Sequence, residues 1–152
     1  MHSRLKKIYY SLLGPAIAGF IALGVVRSIQ QPFVLPAHLV AVIAPAIFIL
    51  AVVFAVAGPI LFRSFFAHRQ RNHSRVSQSK LFRFERTLIG ISMVAPYLAL
   101  AAWFLQLPRF HLVGILLLTF YAVYYHYPSN KRITFDRKIF RVSESISSGD
   151  VR

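Results

Sequence analysis

The stretch LVAVIAPAIFILAVVFAVAGPILF, residues 39–62, runs for 24 positions without a charged side chain, yet it contains two prolines. A helix needs about 20 mainly apolar residues to cross a hydrocarbon core of roughly 30 Å. Residues 39–62 meet that length, so the segment reads as a transmembrane helix. Its prolines do not argue against this. In water a proline inside a helix removes a donor and clashes with the carbonyl four residues back. In a bilayer the helix cannot unravel, and neighbouring helices or local adjustments satisfy the freed carbonyl.

Three other stretches read the same way: Ile8–Val26, Thr87–Leu107 and the shorter Leu112–Tyr127. None of the four contains an acidic residue or a lysine. At 1.5 Å per residue the fourth still covers about 24 Å. Its Tyr121, Tyr124, Tyr125 and Tyr127 suit a membrane interface, where rings with a polar tip collect. The whole chain agrees, with 57% hydrophobic and 14% charged residues and a mean hydropathy of +0.58. A soluble domain carries about a quarter charged residues.

The charges that remain are one-sided, with 18 Lys and Arg against 4 Asp and Glu, formally +14. Arg4, Lys6 and Lys7 precede the first span. Arg63, Arg69, Arg71, Arg75, Lys80, Arg83 and Arg86 fill the link between the second and third spans. Lys131, Arg132, Arg137, Lys138, Arg141 and Arg152 lie in the tail, leaving only Arg27 and Arg109 on the opposite side. The positive-inside rule then places both termini and the loop 63–86 in the cytoplasm. Topology accounts for the basic excess, so no nucleic-acid partner is expected. The basic start and apolar run at 1–26 are read as a retained first helix, because cleavage there would invert the loop-charge balance.

The expected fold is therefore an all-α integral membrane protein. Residues 1–128 form four transmembrane helices as two antiparallel hairpins, N-in and C-in, in the inner membrane. The link PRFH, residues 108–111, is short enough to force its two helices to be antiparallel neighbours. Residues 129–152 form a cytoplasmic tail, interfacial at first and then disordered. In it Phe135, Ile139 and Val142 fall at helical spacing, as in a short amphipathic helix lying on the inner leaflet. The Ile133/Phe135 alternation leaves a strand open there. APAIFILAV (44–52) and APYLALAAW (95–103) resemble each other, a possible inverted repeat that short apolar strings also produce by chance.

Gly14, Ala18 and Ala22 recur at intervals of four and make a thin ridge that admits a close neighbour. With Pro15, Pro45, Gly58, Pro59 and Pro96 they are the expected helix-packing residues. The main reading is kinked helices packed closely in one bundle. The contrasting one is broken helices whose backbone lines a substrate or ion path.

Chemistry is sparse. The four acids, Glu85, Asp136, Glu144 and Asp150, are expected in the cytoplasmic loop and tail, so no carboxylate pair meets inside the bundle for acid–base work. The chain has no cysteine, which excludes thiolate metal sites and cysteine nucleophiles. His68 and His73 lie among arginines without a carboxylate, which disfavours a metal. His38, His111 and His126 fall at span boundaries, and a metal or pH response is conceivable only if His38 meets His111. Ser92 and Thr119 are expected to bond back to a helix carbonyl or across to a neighbour. No serine-nucleophile elbow, phosphate loop or zinc-protease motif occurs. Hence no enzyme activity, cofactor or metal is expected.

The basic loop interleaves its cations with Phe65, Phe66, Phe82 and Phe84. Arg63, Arg69, Arg71, Arg75, Arg83, Arg86, Lys131, Arg132 and Lys138 are the expected contacts for anionic headgroups or an acidic partner. The leading functional expectation is a non-catalytic accessory or scaffold subunit that packs against other membrane subunits or itself. The alternative is a small transporter or lipid-handling protein, with Arg27, His38, Arg109 or His111 at one mouth of its path.

Overall fold

With no competing water, backbone amides in apolar segments must bond along their own chain, and the helix does this best. The computed structural model, which describes residues 2–29, 36–70 and 78–129, is helical throughout, with no strand among those residues. Helix α1 is His2–Ile29. Helix α2, Ala37–Val52, passes through a π-helical turn, Val53–Ala57, into α3, Gly58–Gln70. Helix α4, Gln78–Ser92, and helix α5, Val94–Phe104, are separated by a turn at Met93, and α6 is Arg109–Tyr125.

Three continuous helical stretches are long and apolar enough to cross a membrane: Ser3–Ile29, Ala37–His68 and Ser79–Phe104. The fourth expected span, Arg109–Tyr125, has 17 residues and is shorter and also apolar. Helices overrun the expected loop 63–86 on both sides, to Gln70 and from Gln78. The sequence loses hydropathy there without losing helix-forming residues. Arg71, Arg75, the link after Ile29 and the tail, with Lys131, Arg132 and Lys138, lie outside the described residues.

The prolines act as their chemistry dictates. Pro36 and Pro108 stand just before α2 and α6, where a missing N–H costs nothing, and their carbonyls take the first amides (Val40 at 3.1 Å, Leu112 at 3.1 Å). Pro15 and Pro45 lie within α1 and α2. Pro59 leaves the Ala55 carbonyl without its normal donor, and the helix widens there: Gly58 N–H bonds to Val53, five residues back. Pro96 likewise cannot serve the Ser92 carbonyl, and the Met93 turn falls just before it.

The helices alternate in direction, as their contacts show. The start of α1 meets the end of α6, where the Tyr9 hydroxyl donates to the Val123 carbonyl at 2.8 Å. The end of α1 meets the end of α5, with the Arg27 guanidinium 5.8 Å from the Trp103 ring centre. Ala44 and Ala51 pack with Ala99, Ala102 and Ile115, while Ala55 packs with Ala95 and Ala122, so α2 runs against α5 and along α6. A core of alanines lets the backbones come close. Gly19 and Gly114 mark the tightest approaches, for a Cβ there would lie 2.7 Å from Leu100 and 2.6 Å from Phe48.

Candidate functional site

Charge divides between the two ends of this bundle. Arg4, Lys6, Lys7, Arg63, Lys80, Arg83 and Arg86 gather at the end where α1 begins and α6 finishes, and Arg27 and Arg109 at the other. The basic end is held by rings. Phe84 stacks on Phe66 at 4.2 Å and on Phe62 at 5.5 Å, joining α3 to α4. Tyr9 meets Tyr127 edge-on at 5.5 Å, and Lys6 Nζ sits 5.7 Å from the Tyr127 ring centre.

A cleft of about 80 Å³ opens at this end. One wall is the widened turn and the start of α3, with Ala55, Val56, Pro59, Ile60 and Arg63. Leu88 of α4 closes one side, and Tyr121, Tyr125 and His126 form the other wall. The π-helical turn and Pro59 both fall in this wall. The Tyr121 and Tyr125 rings stack at 5.3 Å. His126 is buried, with Nδ1 3.1 Å from the Ala122 carbonyl.

Glu85 differs from its expected place. It was expected in the loop 63–86, but α4 carries it on the inward face defined by Leu81, Phe84, Leu88 and Ser92, where it is only 3% exposed. That spacing is helical, and the signal was available in the sequence; the surrounding cations mask it in a hydropathy reading. Among the described residues Glu85 is the single acid. No group of three or more His, Asp or Glu gathers among those residues.

The expected packing residues divide into two sets. Pro59 and Pro96 are buried and Gly58 is half-buried, its missing Cβ leaving room for Val53 O and Ile91. Gly14, Pro15, Ala18, Ala22 and Pro45 are exposed, and no neighbour lies within 4 Å of where a Gly14 Cβ would be. The ridge on α1 therefore takes no part in the chain's own bundle, whose close contacts use Ala16, Gly19 and Phe20 instead. Gly19 and Gly114 were missed because a lone glycine in an apolar run carries no periodic signal.

Arg63 is half-buried in the cleft wall, while Arg83 and Arg86 are exposed on α4 and Arg69 lies in the last turns of α3. Thr119 bonds both ways, to Ile115 O at 2.8 Å and across to Ala95 O at 3.2 Å. Ser92 bonds back to Leu88 O at 2.9 Å. At the far end His38 is exposed, whereas His111 packs edge-on against Phe110 and Phe48 with Nδ1 buried and unbonded. Comparison with known protein families, with curated proteins and with solved structures gives no match.

Proposed function

We propose that the chain is a non-catalytic, multi-pass inner-membrane subunit that packs against further membrane helices, from other subunits or a second copy. In this reading α6 is a fourth span, and both termini and the basic end face the cytoplasm among anionic headgroups. One observation carries the proposal. The apolar window of α1 is only 6% buried in its own bundle, and its small-residue ridge points outward. Between lipid and helix there is no hydrophobic drive, so association depends on close approach, and Gly14, Ala18 and Ala22 provide the thin face that permits it.

The path reading fits less well. Among the described residues the cleft lies at the Arg63 end, away from Arg27, His38, Arg109 and His111, where a mouth was expected. A photo-crosslinking residue placed at Ile21, which is 65% exposed beside the ridge, should give a discrete protein adduct in native membranes, and one at Leu117, which is 64% exposed on α6, should give lipid adducts. Ala18→Leu should abolish the protein adduct while the chain stays monodisperse. Lipid adducts at both sites would sink the subunit reading.

A further inference from the structure

We infer that the cleft between the widened turn and α6 is a binding site for one anionic phospholipid, with Arg63 taking the phosphate. Three observations converge. The first is its chemistry: a guanidinium, two phenol groups and an imidazole line it together with the apolar Val56 and Leu88. Guanidinium offers a fork of donors matched to phosphate oxygens, and phenol hydroxyls supply further neutral donors.

The second is access. Ile60, Tyr121 and Tyr125 form a rim that is 57%, 41% and 50% exposed, and this rim continues into exposed apolar surface at Leu61 and Leu117. A molecule entering sideways from a bilayer would set its headgroup in the cleft and its acyl chains along that surface. A free phosphate ion would gain nothing from such walls.

The third is position. The cleft is at the end where the described cations collect, so an anionic leaflet is drawn to it before any specific contact forms. The sequence alone treated Arg63 as one of many loop cations and the tyrosines as interfacial rings. Folding brings them to one opening, because the turn before Pro59 faces the last two turns of α6.

The test uses the purified full chain in detergent, titrated with phosphatidylglycerol or phosphatidylcholine of matched acyl chains and read by native mass spectrometry. Phosphatidylglycerol should be retained in preference to phosphatidylcholine, at one molecule per chain. Arg63→Gln should weaken its binding about fivefold, the effect of one basic group at an anionic surface, while exposed Lys80→Gln changes it much less. Inorganic phosphate at millimolar concentration should not displace the lipid. Ile60→Trp keeps every charge and fills the cleft. It should abolish retention in a monodisperse protein, so the site is tested even if the Arg63 variant misfolds. Equal losses in the Arg63 and Lys80 variants would show diffuse surface charge and overturn the proposal. So would retention by the Ile60 variant, indifference between the two lipids, or displacement by phosphate.

Discussion

Gln106 is the one described non-glycine residue with a left-handed backbone, at φ 52°. It follows α5, and its amide bonds to Trp103 O at 3.2 Å while the next amide, from Leu107, reaches back to Ala102 O at 3.1 Å. This pair of bonds is the Schellman ending of a helix, in which the left-handed position is usually glycine. A side chain there costs about 1 kcal/mol or somewhat more. Gln106→Gly should therefore raise stability by about 0.5–1 kcal/mol, offset in part by the freer unfolded chain. Thermal unfolding in detergent should show a higher midpoint, and a lower one would mean that the glutamine side chain supplies a bond worth more than the strain. Gly114 gives the opposite case. Its missing side chain admits the Phe48 ring, which is itself seated against His111, so Gly114→Val should cost about 1–3 kcal/mol by overpacking. A change below about 0.5 kcal/mol would show that the ring moves aside freely.

At the scale of the element, α1 is the most weakly anchored helix. It touches the bundle through residues that include Leu5, Tyr9, Ala16, Gly19, Phe20 and Arg27, and hydrogen bonds from Tyr9 to Val123 O at 2.8 Å and from Tyr97 to Leu12 O at 2.6 Å tie its first half down. Losing such a bond costs about 1 kcal/mol, so Tyr9→Phe should speed amide exchange in the first turns of α1 about fivefold and leave α5 unchanged. Equal acceleration in both helices would mean that α1 opens only with the whole bundle. The first two spans were legible because charge vanishes from them and length does the rest. The π-helical turn was not legible. Pro59 announces a defect, but whether a helix kinks, breaks or widens depends on what packs beside it, here Ile91 within 3.1 Å of the Gly58 position. The buried face of α4 was hidden for a related reason, since five of its residues, Lys80, Arg83, Glu85, Arg86 and Thr87, lower the hydropathy without interrupting the helix. The cleft needed both failures to be resolved, and no reading along the chain joins Arg63 to Tyr125 and His126.

For the whole molecule the decisive quantity is how many helices cross and which end faces in. The proposed four-span, N-in arrangement rests on the positive-inside rule; a bundle that stood the other way would oppose the loop-charge bias. Because the chain has no cysteine, single substitutions report position without background. Ser28→Cys marks the Arg27 end, Ser79→Cys the basic end in the first turn of α4, and Ser129→Cys the chain shortly after α6. In intact cells a membrane-impermeant maleimide should label position 28 at once and positions 79 and 129 only after permeabilisation. Labelling of position 129 with position 28 would mean that α6 enters and returns without crossing, leaving three spans. Labelling of 79 and 129 in intact cells with 28 protected would invert the molecule. The cleft lipid would then have to come from the outer leaflet, and the basic end would have no anionic inner surface to meet.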